Sequence, residues 1–425
     1  MNHQKEVTGH LNGHFRGEGF LLSGQFSARA EAGAILLLDG SRSEICRSPL
    51  IELSPMKGAT FSLHGVVIGN RFHWERKEDQ AFHGDLTLLR GQDGTIAVIN
   101  RILAEDYFVS VISSEMNASA PFEFLKAHAI LSRSWLLAAL ERKNRSGLAI
   151  SSIRKETDSA ERHIRWYERE DHDIFDVCND DHCQRYHGIT KALPGQAGEA
   201  VRQTQGTVMT YQGEICDARY SKACGGITEE FSTAWEDREV PYLKSIPDAS
   251  AAHPPARTEE RASTWILSEP EAYCNTGNMD LLERILPSYD RETESFFRWE
   301  VQYSREELGE ILRQKSGFDF GTLKAIVPLH RGPSGRISRL KIVGSNKSMV
   351  VGKELEIRRW LSRSHLYSSA FIVFAQGKRF TLHGAGWGHG VGLCQVGATV
   401  MANAGFSAEQ ILGHYFQGVA LKKIY

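Results

Sequence analysis

The chain has 425 residues, of which 41% are hydrophobic and 24% are charged. These are ordinary globular proportions, and the length exceeds what one hydrophobic core usually supports, so we expect two or three packed units. Lysine and arginine number 50 against 52 acidic residues. Without a long run of one sign, this balance excludes the basic surface typical of nucleic-acid binding.

The sequence contains no stretch of about 18 consecutive apolar residues, so no membrane span is predicted. The first 30 residues also lack the apolar region of a signal peptide. Seven cysteines occur, and an odd number does not fit a fully paired disulfide framework. We therefore expect some of the cysteines to be free or bound to metal.

Residues 10–100 contain short apolar runs separated by turn residues, a pattern typical of β-strands. The step from Asp93 to Gly94 between two such runs predicts a hairpin. We therefore assign residues 1–95 to an N-terminal β-rich domain.

The pattern then changes to helical spacing. Phe108, Val111, Ile112 and Glu115 fall at i, i+3, i+4 and i+7 of one stripe, which predicts a helix with Glu115 on its apolar face. An acid in such a place loses solvation of its charged form and could hold a proton near neutral pH, as a general acid must.

Pro121 predicts the start of a second helix, over about 121–142, that carries Lys126 and Arg133 one heptad apart. These two cations offer an alternative explanation for Glu115. It would then be a carboxylate at a helix end, paired with one of them or with a backbone amide.

Residues 143–192 are polar and offer few apolar side chains to bury, so something other than a core must order them. Zinc favours thiolate and imidazole ligands, and its binding can order such a segment. The alternative for each thiol is a small buried side chain. The candidate ligands are His172, Cys178 and Cys183, with His182 and His187 as substitutes for His172, and Cys216 and Cys224 as thiols further along the chain.

The remaining chain mixes helices and strands. Together with the strands of the first domain, this predicts an α+β fold in which residues 96–425 form a mixed α/β domain with a β-rich insertion. The predicted elements are a helix and strand over 193–212, a mixed segment at 255–315 that decorates the domain and includes a helix at 304–315, strands at 336–344, 348–361 and 368–384, and a helix at 407–416.

The segment GAGWGHGVGLCQVGA at 384–398 has alternating glycines around Trp387, His389 and Gln395. Glycines in this pattern permit positive φ and the close approach of another backbone or of a ligand. Trp387 offers a surface on which a sugar ring could stack. The segment lacks the Lys-Ser/Thr of a phosphate-binding loop.

Several segments together resemble the stage II sporulation protein D (SpoIID/LytB) family. YFVSVISSEM at 107–116 and PFEFLKAHAILSRSW at 121–135 are similar to the block that carries the family's catalytic glutamate, which matches Glu115. The segment at 384–398 resembles a second family signature, and ARYSKACGGITEEF at 218–231 a third. Cys224 and Cys394 stand where the family usually has serine, and Asn117 where it has proline.

The resemblance implies that the second domain is a SpoIID-like catalytic domain with a Cys/His loop at 165–190. It implies substrate contacts for Lys126, Arg133, Trp387, His389 and Gln395. It also implies a zinc ion near the catalytic glutamate, which we expect to be mainly structural. The predicted zinc ligands are His172, Cys178, Cys183 and Cys224.

The function implied is that of a peptidoglycan lytic transglycosylase, which cleaves the MurNAc–GlcNAc β-1,4 bond and leaves 1,6-anhydro ends. Glycan strands would be its partner, and the cell envelope or periplasm its place of action. One alternative is a non-catalytic glycan-binding enhancer of a cell-wall amidase. Another is a zinc-stabilised interaction protein, which explains the cysteines but not the tryptophan and glycines at 384–398.

Overall fold

The computed structural model describes residues 4–70, 72, 74–146, 156–159, 161–167, 172–179, 181–192, 195–288, 290–292 and 296–425. Residues 168–171 and 180 of the predicted Cys/His loop lie outside the described residues. The chain divides into two compact units. The first unit comprises Met1–Asn70, Trp74–Ser119 and His172–Gln205, and the second comprises Arg71–His73, Ala120–Asp171 and Gly206–Tyr425.

The described strands are β1 (Glu6–Gly17), β2 (Phe20–Glu31), β3 (Ala34–Asp39), β4 (Glu44–Ser48), β5 (Leu50–Pro55), β6 (Thr60–Ile68), β7 (Arg76–Phe82), β8 (Asp85–Arg90), β9 (Ile96–Arg101), β10 (Glu156–Ser159), β11 (Arg162–Arg165), β12 (Thr207–Tyr211), β13 (Glu214–Ile215), β14 (Tyr220–Ser221), β15 (Arg298–Ser304), β16 (Leu323–Arg331), β17 (Ile337–Gly344), β18 (Ser348–Gly352), β19 (Phe371–Gln376), β20 (Arg379–Ala385), β21 (Leu393–Cys394) and β22 (Ala420–Lys423).

The described helices are α1 (Ala104–Glu115), α2 (Phe122–Ser146), α3 (Gln196–Gln203), α4 (Phe231–Ala234), α5 (Glu259–Ile266), α6 (Met279–Ile285), α7 (Arg305–Ser316), α8 (Glu354–Trp360), α9 (Gln395–Asn403) and α10 (Ala408–Tyr415). Strands dominate the N-terminal region and both element types follow, so the predicted α+β class is confirmed. Within the described ranges, no helix combines the length and the apolar character needed to cross a membrane.

The first unit is built on a nine-stranded sheet. Its order is β4-β3-β2-β1-β5-β8-β9, and β6 pairs with both β1 and β7. Val7, Leu11 and Phe15 of β1 point to one buried face, as the period of two in a strand requires. β9 begins at Ile96, so this sheet extends across the boundary that the sequence placed at residue 95.

Two local predictions for the first unit are confirmed. β8 and β9 form an antiparallel hairpin, and Gly94 in its turn has a φ of +85°. The carboxylate of Asp93 accepts the amide of Thr95 at 3.1 Å, which closes the turn. Helix α1 begins at Ala104 and buries the whole predicted stripe that ends at Glu115.

The second unit contains four smaller sheets, with orders β10-β11-β18-β17-β16, β15-β20-β19, β13-β12-β22 and β14-β21. Its main core includes Trp360, Phe371 and Phe380, which are at most 1% exposed. The sequence predicted no strands at 143–192, yet β11 pairs in parallel with β18. The apolar partner for this polar strand comes from a segment almost 200 residues away, which local patterns cannot reveal.

The segment at 255–315 was expected to decorate the domain, but its second half is part of the core. β15 pairs with β20 along seven consecutive residues. The predicted helix at 304–315 is confirmed as α7, whose Leu308 and Leu312 are fully buried. Ser304 caps its start, and Gly317 ends it in the left-handed region.

Candidate functional site

Glu115 is the last residue of α1 and is 6% exposed. Its Oε1 accepts a hydrogen bond from the backbone amide of Arg185 at 3.0 Å. A backbone amide was one of the partners that the sequence left open. Helix α1 and the segment around Arg185 therefore fix this carboxyl group within the first unit.

The segment that supplies this amide is itself anchored. The Arg185 side chain donates to Asp181 Oδ1 at 2.6 Å, and its guanidinium lies 4.5 Å from the ring centroid of Trp74. A cation over an indole ring is attracted by the negative face of the ring. These contacts hold the backbone that binds Glu115.

Tyr107, two turns before Glu115 on α1, donates its hydroxyl to Gln184 Oε1 at 3.1 Å and stacks on Tyr186. Burial raises the pKa of Tyr107 well above its ordinary value, and the charges of Cys183, Cys178 and Glu115 add to this effect. Tyr107 therefore stays a protonated donor.

His172, Cys178, His182 and Cys183 form what we call the His/Cys cluster. Their donor atoms all lie within 4.8 Å of one another. Cys183 Sγ is 3.3 Å from His172 Nε2 and 3.5 Å from His182 Nδ1, and Cys178 Sγ is 3.9 Å from His182 Nδ1. Zinc bonds of about 2.3 Å to sulfur and 2.0 Å to nitrogen place tetrahedral ligands roughly 3.5 Å apart. The donor set therefore fits a zinc ion.

The structure places the predicted zinc ligands in two separate groups of donors. His182, offered by the sequence only as a substitute for His172, joins the cluster together with it. Cys224 instead lies in the second unit, grouped with Asp248, Cys274 and Cys394. Spacing along the chain could not reveal this division, because it depends on how distant segments of each unit meet.

His187, the other substitute, does not belong to either group. It is 1% exposed. Burial, reinforced by the charges of Arg185, Lys191 and Arg76, lowers the pKa of His187 to about 3. Its ring is therefore neutral at physiological pH.

Residues 383–397, which we call the glycine loop, lie in the second unit. Gly386, Gly388, Gly390 and Gly392 have φ values of 73°, 90°, 76° and 74°. A Cβ atom on Gly392 would lie 2.1 Å from the backbone oxygen of Arg219, and one on Gly386 2.7 Å from that of Ala223. The close approach is therefore to the protein's own backbone at Gly386 and Gly392, and to the side chains of Ser221 and Arg336 at Gly388 and Gly390.

The aromatic groups of the glycine loop are packed as well. Trp387 is 8% exposed, stacks on Phe296 with 5.1 Å between ring centroids, and donates its amide to Ala223 O at 2.7 Å. His389 Nδ1 accepts the amide of Val391 at 3.0 Å. Burial and nearby arginines hold the pKa of His389 well below its ordinary value, so its ring is neutral.

The other three predicted substrate contacts also have partners within the second unit. Arg133 is fully buried and donates to Thr207 O at 2.9 Å. Gln395 is 1% exposed, with its amide nitrogen 3.0 Å from a ring nitrogen of His128. Lys126 pairs with Glu123 at 2.9 Å and has a side chain that is 25% exposed.

Sequence reasoning missed Glu229, which is one of several other buried carboxyl groups. Its oxygens accept from the amide of Glu230, from Thr233 Oγ1, and from both the amide and the hydroxyl of Ser334. Burial outweighs these bonds and the charge of Arg336 and raises the pKa of Glu229 to about 7. A signal was present, since the segment at 218–231 carries this glutamate among family-like residues.

Comparison with known proteins defines the class to which these features belong. A family model described as stage II sporulation protein matches residues 92–211, which include Glu115 and the His/Cys cluster. A second model, described as a domain of unknown function, matches residues 229–392. The first match identifies a stage II sporulation protein domain.

Similar individual proteins point to the same family. The chain is 25% identical to stage II sporulation protein D of Bacillus amyloliquefaciens over 326 residues, and 24% identical to that of Bacillus subtilis over 335 residues; each alignment covers 76% of both chains. It is also 26% identical over 240 residues to a Bacillus subtilis protein named amidase enhancer, covering 52% of this chain but 32% of that relative. The chain therefore contains a stage II sporulation protein domain and is similar to stage II sporulation protein D over most of its length, and its relatives support a role related to the cell wall.

Proposed function

We propose that this protein is a peptidoglycan lytic transglycosylase in which Glu115 acts as both acid and base. The observation that carries the proposal is the position of Glu115. It is a nearly buried carboxyl group at the end of α1, held by the Arg185 amide, inside the region that matches the stage II sporulation protein model.

The proposed reaction needs one carboxyl group. Ordinary glycosidases use two, one to protonate the leaving oxygen and one to attack or to activate water. In the lytic reaction the 6-hydroxyl of the MurNAc residue attacks C1 of the same sugar. The C1–O6 bond forms as the bond from C1 to the bridging oxygen breaks.

Glu115 both donates and accepts one proton in each reaction cycle. The carboxyl group donates its proton to the bridging oxygen as that oxygen leaves, and the resulting carboxylate takes the proton of the 6-hydroxyl. The group ends in its starting state and no water is consumed.

We also propose that the His/Cys cluster binds a structural zinc ion through His172, Cys178, His182 and Cys183. When bound, the ion would crosslink a segment that has few apolar side chains. Cys183 lies two residues from Arg185, so order in this segment supports the amide that holds Glu115. No step of the proposed reaction passes through the ion.

Replacement of the carboxyl group tests the catalytic assignment. Glu115→Gln should abolish release of anhydro-sugar fragments from purified glycan strands and leave the circular dichroism and melting temperature unchanged. Asp106→Asn is the matched control, because it removes an exposed carboxylate of the same helix. Undiminished product from Glu115→Gln, measured by mass spectrometry, would refute the assignment.

Metal analysis tests the zinc assignment. The double variant Cys178→Ser/Cys183→Ser should lose one zinc ion per chain relative to the starting protein and should melt at a lower temperature. Cys46→Ser, which changes a thiol outside both groups, should lose none. Equal zinc content in the double variant and the starting protein would show that the His/Cys cluster does not bind zinc.

The second candidate is a glycan-binding enhancer of a cell-wall amidase, which the match to the amidase enhancer favours. An enhancer would raise the rate of a purified amidase on whole peptidoglycan without cleaving glycan itself. This function is favoured over cleavage if Glu115→Gln and the starting protein raise the amidase rate equally and neither protein forms anhydro products.

A further inference from the structure

Cys224, Asp248, Cys274 and Cys394 form a second group of donors within the second unit, which we call the Cys/Asp cluster. Their ligand atoms lie within 4.8 Å of one another, and all four residues are at most 3% exposed. The residues come from four separate stretches of the chain. The fold therefore brings three thiols and one carboxyl group to one point in the interior.

The spacing of the donors fits one small metal ion. Cys224 Sγ and Cys274 Sγ are 3.7 Å apart. Zinc–sulfur bonds of about 2.3 Å place two thiolates of a tetrahedral site about 3.8 Å apart. A disulfide would require a separation of about 2.05 Å.

Backbone amides point at the sulfur atoms, as is expected around thiolates. Cys394 Sγ accepts from the amides of Cys224 at 3.2 Å and Gly397 at 3.4 Å. Cys224 Sγ accepts from the amide of Gly226 at 3.4 Å. Hydrogen bonds to a charged acceptor are stronger than those to a neutral one, so these donors favour the ionised sulfur that binds metal.

The carboxyl group is oriented by neighbours outside the cluster. Asp248 Oδ1 accepts from Tyr415 at 2.5 Å, and Oδ2 accepts from the amide of Cys274 at 3.0 Å. Partners of this kind fix the direction of metal ligands and are a regular part of metal sites. Each carboxylate oxygen keeps a second lone pair with which it could bind a metal.

We propose that Cys224, Asp248, Cys274 and Cys394 bind a single divalent ion of the zinc class in a closed, structural site. Four acidic groups this close together inside a protein cannot all be ionised without a cation, because each buried charge needs compensation. A zinc ion offsets two of these charges, the hydrogen bonds to the sulfur and carboxylate atoms stabilise the remainder, and the ion accepts a tetrahedral set of three thiolates and one carboxylate. The ion would crosslink four segments of the second unit, independently of the His/Cys cluster and of any glycan cleavage.

The test uses the full-length Cys178→Ser/Cys183→Ser protein, purified under reducing conditions from zinc-supplemented medium, so that the His/Cys cluster makes no contribution. We expect one zinc ion per chain by elemental mass spectrometry. Further replacement of Cys274 by Ser should remove it. Cys216→Ser is the matched control, since it also changes a buried thiol of the second unit but should leave the zinc in place.

Cobalt substitution keeps the proposal testable if Cys274→Ser does not fold. Cobalt exchanged into the same double variant should give the thiolate charge-transfer absorption of a tetrahedral site with three sulfur ligands. The proposal is overturned if the folded double variant contains no zinc and gives no cobalt absorption. It is also overturned if its intact mass, with free thiols blocked, shows a disulfide between two of these cysteines.

Discussion

In the first unit, Glu115 is held by one end of a helix and by the amide of Arg185, next to a polar segment that carries the four close donor groups of the His/Cys cluster. In the second unit, the glycine loop resembles a family signature, yet its glycines make room for the unit's own backbone and side chains. The comparison teaches that the most recognisable motif need not carry the chemistry. Changes in the first unit should therefore affect the reaction, and changes in the glycine loop should affect stability.

The largest effect is expected from the carboxyl group of the first unit. Glu115→Gln should lower the rate of anhydro-sugar release by roughly 100-fold or more, the usual contribution of a general acid and base. The denaturation midpoint of Glu115→Gln should equal that of Asp106→Asn within experimental error. If Glu115→Gln loses activity only because it unfolds, Glu115 has a structural role rather than a catalytic one.

The next largest effect tests packing in the glycine loop. Gly392→Ala should lower the free energy of unfolding by about 3 kcal/mol, because the added carbon meets the Arg219 carbonyl at a positive φ. Gly405→Ala has a positive φ but no neighbour within 4 Å, so about 1 kcal/mol is expected. Urea denaturation measures both. Equal losses would show that close packing does not explain these glycines.

A smaller effect distinguishes the histidines of the first unit. His182→Ala should weaken zinc binding at least tenfold, because it removes a proposed ligand. His187→Ala should leave zinc affinity unchanged, since His187 lies outside the His/Cys cluster. Competition with a chromogenic chelator measures the affinities. If His187→Ala weakens zinc binding and His182→Ala does not, His187 rather than His182 is the ligand.

The smallest effect concerns pH and the second unit. Burial raises the pKa of Glu229 to about 7, above its ordinary value of 4.5, so the folded protein holds a proton that the unfolded chain releases. The stabilising contribution is present below about pH 4.5 and is lost as the pH rises to about 7. Glu229→Gln should therefore reduce the loss of stability between pH 6 and 7 by about 1 kcal/mol.

Glu230→Gln, which alters the adjacent and more exposed carboxylate, is the control for this pH effect. Stability is followed by urea denaturation at each pH. If Glu229→Gln and the starting protein lose stability equally over this range, the proton is not held by Glu229.

Local sequence signals predicted the elements that depend on neighbouring residues. The apolar stripe that ends at Glu115 predicted α1, and the Asp93-Gly94 step predicted the hairpin of β8 and β9. Ser407 and Gln410 form a capping box at the start of α10, the predicted final helix. In each case the decisive contacts lie within a few residues.

The sequence could not predict arrangements made by distant segments. The sequence grouped Cys224 with His172, Cys178 and Cys183, whereas its neighbours in the fold, Cys274 and Cys394, lie 50 and 170 positions further along the chain. The alternating glycines permitted either a ligand or a backbone neighbour, and only the fold shows the backbone of Arg219 there. Non-local pairing, rather than residue type, decides both questions.

Digestion in water labelled with oxygen-18 tests directly whether Glu115 promotes intramolecular attack, as we propose, rather than hydrolysis. Purified glycan strands and whole peptidoglycan would be digested in parallel, and the new ends analysed by mass spectrometry. We expect anhydro ends without the label from the starting protein and none from Glu115→Gln. Labelled reducing ends, or anhydro ends formed equally by both proteins, would contradict it.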